Sequence, residues 1–505
     1  MIHAHTNFPG GSVRDLRVEG GVIRFAAVRH ESVYSMWWQF ALNGPGGPVR
    51  CIWESTDEVL GSDGLDLVVP VYTTAGGSWR RVDPRTCYHN PRVREFGFMV
   101  PTAAGETRVA YCYPYDWDRV EAFIADVAQQ PGVTVREVGK SEGGRPFRVL
   151  KLGQGERHLW LTARHHAGET PGAYVLEGAV RELLQHPRWL ASMTMHAAPA
   201  MDVDGVAEGW YGKEREPRDF NRDYCARPCR PEVRALMAYA EGIGKADLIL
   251  DLHAPAPPDF SFLVPVKESS LSLQEWVATW EFGRMLDALA PRSCPVRVMD
   301  AQPGAMNWSG ETMGQTSTGW FHRRFGAIAA TLETTYHHSH DGRLVTPRGW
   351  LALGKAVAHA AAAQSGLRSR PDVADIELPR SRVPRFAHWQ CVHWPQGVTL
   401  HEEGQWLEAR SPNPDGYAWV FSPRVLAAEA ARFRYEYAGP GGALAVHARG
   451  YDPDRDLSTG DTSLTTLELR PTRRPRTVTV ASPDPWCQLF FRMKHLRGTL
   501  RLAVG

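Results

Sequence analysis

The chain has 505 residues, 43% of them hydrophobic, and 57 basic against 56 acidic side chains give a net charge of +1. So even a balance predicts no bulk attraction to nucleic acid, no run of about 18 apolar residues predicts a membrane span, and the length suits about three domains. The first six residues, Met1 to Thr6, lack a basic stretch followed by an apolar core, and eight dispersed cysteines read as reduced thiols, so a cytoplasmic setting is expected.

Taken in chain order, residues 1–113 alternate apolar and polar positions in short runs, such as 20–26 and 37–42, separated by glycine and proline. That pattern predicts an N-terminal antiparallel β-sandwich. From Trp117 the period lengthens. Residues 120–128 and 173–184 predict amphipathic helices, 147–152 and 159–163 predict strands, and the alanine-rich run 350–363 predicts a closing helix. Strands alternating with helices over 114–366 make this an α/β domain. Residues 367–385, rich in proline and charge, predict a linker, and 386–505, with runs at 417–421, 444–448 and 477–480, a β-rich C-terminal domain. Its aromatics read as core packing.

The chemistry collects at the ends of three apolar runs. After 159–163 come Arg164-His165-His166-Ala167-Gly168-Glu169, with His166 and Glu169 three residues apart and His165 a second candidate. The run 248–252 ends in His253, and 327–332 ends in Glu333. In an open α/β sheet, ligands bind beyond the carboxyl ends of the strands, so these groups can converge. Imidazole and carboxylate are zinc ligands, and a catalytic zinc has about three from the protein. A carboxylate ending a continuous apolar strand costs several kcal/mol to desolvate unless it is paired or functional, which singles out Glu333 as a base.

The order His-x-x-Glu, then His, then Glu resembles the M14 metallocarboxypeptidases, most of all their cytosolic carboxypeptidase branch, over roughly residues 13–365. Tyr113-Pro114-Tyr115, at the exit of the N-terminal region, is similar to that branch's junction element. The branch's Arg-x-His-Pro-Gly-Glu motif is matched by Arg164, His166, Gly168 and Glu169, with Ala167 replacing proline. The resemblance therefore implies His166, Glu169 and His253 as the ligands of one Zn²⁺ per chain, and Glu333 as general base. Its Asn-Pro-Asp-Gly and Asp-x-Asn-Arg elements appear as Asp202-Val203-Asp204-Gly205 and Asp219-Phe220-Asn221-Arg222, implying that Asn221 and Arg222 hold a substrate carboxylate. Arginine's planar fork suits that task, binding a carboxylate through two charge-assisted hydrogen bonds.

Two departures stand out. The branch's Gly-x-x-Arg, whose arginine stabilises the oxyanion, reads Gly209-Trp210-Tyr211-Gly212 here, leaving Lys213 or Arg215 to supply the cation. In the segment 314–321, Thr318 falls where the family builds the floor of its specificity pocket, and a threonine argues against an acidic preference unless Arg323 or Arg324 restores it. The segment also reads as a turn feeding a core Trp320. His337-His338-Ser339-His340 and the Cys225-x₃-Cys229 spacing lack the partners a metal site needs.

The expected fold class is thus α/β, with a carboxypeptidase-like mixed-sheet catalytic domain between the N-terminal β-sandwich and the β-rich C-terminal domain. The expected activity is zinc-dependent hydrolysis of a C-terminal amide bond in a peptide or peptide-like substrate with a free carboxylate, with no nucleic-acid or membrane partner. Two other readings share the pattern: an N-acyl amino acid deacylase of the succinylglutamate desuccinylase and aspartoacylase type, and a catalytically impaired peptide-binding module. The long N-terminal region and Asn221-Arg222 favour the peptidase over the deacylase, and retention of Glu333 argues against the module.

Overall fold

The computed structural model describes residues 2–74, 77–256, 261–266, 273–298, 315–339, 342–371, 390–396, 398–403, 405–422, 425–426, 430–452, 457–481 and 486–504. Gly314, His340, and residues 372–389, which hold most of the expected linker and the start of the C-terminal domain, lie outside them. Three eight-stranded sheets organise the rest. The chain divides into two compact units, one holding the first two sheets and the other the third.

The first sheet is built on Gln39–Glu54 and Glu95–Ala110, which pair antiparallel along their whole length, from Gln39 opposite Ala110 to Glu54 opposite Glu95. One pair departs from the antiparallel expectation: Val22–Ala26 runs parallel to the far end of Gln39–Glu54, with Val22 opposite Arg50. The inward face is aromatic, and Trp38 lies 4.9 Å from Phe25, 5.7 Å from Trp53 and 5.7 Å from Phe98. Each such ring buries enough apolar area to dominate its neighbourhood, and edge-on contacts add to that.

The second sheet is mixed and runs, in spatial order, Arg297–Val298, Phe262–Pro265, Ile328–Glu333, Leu248–His253, Arg157–Ala163, Met193–Ala198, Pro146–Gly153 and Val133–Lys140. The middle four strands are parallel and antiparallel neighbours flank them. Leu248–His253 and Met193–Ala198 are buried at every position, the signature of a sheet covered on both faces. The helix Thr170–Leu184 packs on it, and Pro347–Gln364 packs on that helix, where Gly178 faces Leu351 and Gly354 faces Val175 so closely that a Cβ at either would meet backbone. Asp116 caps the helix Trp117–Ala128 by accepting from the Arg119 N–H at 3.0 Å, which satisfies one of the first-turn donors.

The third sheet is antiparallel throughout, centred on Ala430–Asp452 and Trp486–Val504, around a core that includes Phe433 and Phe491 at 5.1 Å. Among the described residues no helix is long and apolar enough to cross a membrane.

Candidate metal centre and substrate site

Parallel pairing sets the site. Ala163 is opposite Leu252, and His253 is opposite Glu333, so the three strands end at one edge of the sheet. Beyond Ala163 the chain turns through Arg164, whose backbone is left-handed (φ 63°) and whose buried guanidinium donates to the Ala167 carbonyl at 2.5 Å and the Tyr115 carbonyl at 2.7 Å. Burial lowers its pKa to about 10. That bracing brings His166 over the sheet and sets Glu169 at the entrance of the helix Thr170–Leu184.

His166, Glu169 and His253 meet in a buried cluster whose ligand atoms all lie within 4.8 Å of one another. His166 Nδ1 is 2.8 Å from Glu169 Oε1, His253 Nδ1 is 2.7 Å from Glu169 Oε2, and the two Nδ1 atoms are 3.2 Å apart. Two ring nitrogens and a carboxylate this close make a donor set that could hold a metal ion, and imidazole with carboxylate is a combination that zinc takes. Glu333 supplies the other half of the picture. It is buried, and its Oε2 has no hydrogen-bond partner, although Lys213, His253, Glu169 and His166 all act on its charge. Burial outweighs the neighbouring cations and raises its pKa above the usual carboxylate value.

Outer partners fix the rings. His166 Nε2 is 3.1 Å from Asp219 Oδ2. His253 Nε2 is 2.9 Å from Asp251 Oδ2, so the nitrogen that each ring turns toward Glu169 is Nδ1. Asp251 also accepts from Thr162 Oγ1 at 2.8 Å, His165 Nδ1 at 2.8 Å and Ser317 Oγ at 2.6 Å. His165 spends its other nitrogen on the Tyr224 hydroxyl at 2.7 Å, and burial lowers its pKa, so this neutral ring braces the site from below. Burial opposes charge on His253, but Asp251 and Glu169 outweigh it and raise the imidazole's pKa well above its ordinary value.

The loop after the helix Val203–Glu208 answers the question raised by Gly212. Gly212 is left-handed (φ 83°), and a Cβ there would stand 2.8 Å from the Ala167 nitrogen and 3.0 Å from Asp202 Oδ2, so no side chain fits without moving backbone. Lys213 follows it into the centre, with Nζ 3.2 Å from Glu169 Oε1. Burial works against its charge, while Glu169 and Glu333 together raise its pKa. Arg215 finds its partners elsewhere: Asp202 at 3.2 Å, Glu31 at 2.9 Å and the face of Trp210 at 4.2 Å.

Asn221 lies beside His253, with Nδ2 3.1 Å from Nε2 and Oδ1 accepting from the Ser317 N–H at 2.9 Å. Arg222 is part-buried and donates to the Asn221 carbonyl at 3.0 Å. Residues 317–325 form a helix rather than the turn that the sequence also allowed, capped by Thr316. Thr318 is buried in its first turn, next to the Ser317 that touches both Asp251 and Asn221.

Sequence reasoning missed Asp251, Asp219 and Ser317 as partners. Asp251 was findable: strand side chains alternate faces, so a carboxylate two residues before His253 in an apolar run shares its side. It also missed Glu182, His186 and His359, a part-buried cluster in which Glu182 takes His359 at 2.9 Å, His186 at 3.2 Å and Lys355 at 3.2 Å and staples two helices together. His337 is buried against Arg81, 2.8 Å away, and belongs to no metal cluster among the described residues.

The fold is that of the metallocarboxypeptidases. It matches the crystal structure of a metallo-carboxypeptidase from Burkholderia cenocepacia at a TM-score of 0.65 and 22% identity, over 72% of this chain and 99% of that one. A metallo-carboxypeptidase from Pseudomonas aeruginosa, solved with (2-guanidinoethylmercapto)succinic acid, matches at 0.64 and 20% over 72% of this chain and 100% of that one. The M14 resemblance holds in the sequence as well: residues 120–256 match the model of the zinc carboxypeptidase family. Cytosolic carboxypeptidase 6 of Mus musculus is 25% identical over 254 residues, 44% of this chain and 46% of the relative. The chain spans about half the length of the curated cytosolic carboxypeptidases it matches first.

Proposed function

We propose that this chain is a zinc metallocarboxypeptidase that cleaves the C-terminal amide bond of a peptide or peptide-like substrate. The observation that carries the reading is the convergence of His166, Glu169 and His253 beside Glu333, whose Oε2 is buried without a partner. His166, Glu169 and His253 would hold one zinc ion. When bound, zinc supplies a Lewis acid for the scissile carbonyl and lowers the pKa of a water molecule toward about 7. Glu333 Oε2 takes the proton from the attacking water and later passes it to the leaving amine, work suited to a carboxylate whose pKa is raised by burial. Lys213 stands where its charge can meet the negative charge developing on the carbonyl oxygen, in place of the arginine that Gly212 excludes. Asn221 and Arg222 bind the substrate's terminal carboxylate, while Thr318 and its helix face the side chain to be released. Asp219 and Asp251 keep His166 and His253 in the tautomer that leaves Nδ1 free.

A cytoplasmic setting accompanies this reading, supported by cytosolic carboxypeptidase relatives and by Cys51, Cys87, Cys112, Cys225, Cys229 and Cys294, which are free thiols. The test is Glu333→Gln, assayed on a panel of C-terminally varied peptides with zinc measured in the same sample. Turnover should fall by about 10²- to 10⁴-fold with zinc retained. Full activity in the Gln variant would sink the assignment, turnover of N-acyl amino acids alone would favour the deacylase, and binding without turnover in the wild type would favour the module.

A further inference from the structure

The loop that carries Lys213 is not held by the catalytic sheet alone. It begins at Gly209, left-handed at φ 74°, where a Cβ would come within 2.3 Å of the Gly10 carbonyl. Trp210 then stacks on His30 at 4.8 Å and 19°, and His30 Nε2 is 3.1 Å from Ser12 Oγ. Ser32 forms an antiparallel bridge with Arg215, and its hydroxyl donates a short hydrogen bond to the Lys213 carbonyl. The Glu216 N–H donates to the Glu31 carbonyl at 2.8 Å, and the Glu31 carboxylate takes Arg215 Nε at 2.9 Å. On its other side the Glu214 N–H donates to Asp219 Oδ2 at 2.7 Å, the carboxylate that orients His166. Glu214 itself is left-handed at φ 52°, a conformation a glutamate keeps only where its surroundings enforce it.

We infer that Glu31 and Ser32, in the N-terminal region, are positioning residues for catalysis: they clamp the loop 209–216 in the register that delivers the Lys213 ammonium to the metal centre. The inference rests on the reading of Lys213 as the cation facing the scissile carbonyl. Its physical basis is register. Ser32 fixes the main-chain oxygen of Lys213, Glu31 fixes the main-chain nitrogen of Glu216, and Asp219 fixes that of Glu214, so the lysine side chain leaves from a backbone held from both sides. Arg215 supports the same register by pairing outward with Glu31 and inward with Asp202, which also caps the preceding helix through the Gly205 N–H at 2.9 Å. A misplacement of about 1 Å in a catalytic group can cost about a hundredfold in rate, so a clamp remote from the substrate is read in kcat.

The experiment is a double-mutant cycle in the full chain, on the fastest substrate of the peptide panel. Ser32→Ala and Glu31→Ala are each combined with Lys213→Ala, with zinc content and thermal unfolding as controls. Glu31 is 57% exposed, so its truncation leaves the fold standing even if Ser32→Ala does not. The expected result is that Ser32→Ala, which removes the hydroxyl holding the Lys213 carbonyl, loses roughly tenfold or more in kcat with KM and bound zinc unchanged, and that Glu31→Ala, which keeps its main-chain carbonyl and removes only the Arg215 pairing, loses a smaller but measurable part of it. In the Lys213→Ala background the same changes should cost nothing further, because the group they position is gone. The inference is overturned if Lys213→Ala lowers kcat while the clamp variants do not, or if their loss persists in full without the lysine. Wild-type kcat in Lys213→Ala itself would refute the reading of the lysine instead.

Discussion

Asp251→Asn isolates the part of the site that touches no substrate. The carboxylate takes four donors and no acceptor: Thr162 and His165 on Oδ1, Ser317 and His253 on Oδ2. An amide must turn its NH₂ toward one of these pairs. Facing His253 and Ser317, it forces the proton of His253 onto Nδ1, the nitrogen aimed at Glu169, and removes a metal ligand. Facing Thr162 and His165, it keeps the ligand but leaves His253 bonded to a neutral oxygen rather than an anion. Breaking a buried charge pair in this way costs about 3–5 kcal/mol of stability, and loss of a ligand's orienting carboxylate costs about 10- to 100-fold in metal affinity. Zinc affinity measured by chelator competition, with urea unfolding of the same variant, reads both quantities. A zinc Kd within twofold of wild type, in a variant that folds, would refute the role given to Asp251.

Two further outcomes concern Glu232 and Gly212. Glu232 is buried with Oε2 unpartnered, and burial, with Asp202, Asp204 and Glu142 nearby, pushes its pKa up to about 8 from 4.5. The folded protein thus holds that proton more tightly than the unfolded chain, so this group's contribution to stability is full below pH 4.5 and is lost as pH rises toward 8; Glu232→Gln should remove a loss of a few kcal/mol and flatten urea midpoints compared at pH 5 and pH 8, whereas parallel pH profiles would contradict the shift. Gly212→Ala should destabilise by about 1–3 kcal/mol in thermal unfolding and lower kcat, since the added Cβ meets the Ala167 backbone and displaces Lys213; a variant with wild-type Tm would refute the steric argument.

The ends of the central strands were readable in the sequence because each is a mostly apolar run that closes on histidine, arginine or glutamate, and such a pattern has few structural solutions. Helices at 117–128 and 170–184 were readable for the same local reason, a persistent 3.6-residue period. The choice between Lys213 and Arg215 was not. It depends on a backbone register set by Ser32, 181 residues away, and no local pattern carries a contact of that span. The parallel pairing of Val22–Ala26 is likewise non-local, since its alternation looks the same in either direction. Asp251 is readable in principle, since strand alternation puts it on the same side as His253 two residues on.

The clamp at Glu31 and Ser32 bears on how the protein is made. During synthesis the N-terminal residues leave the ribosome well before the loop 209–216. The partner that sets the loop's register is therefore already available when the loop emerges, so a turn made early serves as the template on which a later piece of the site is shaped.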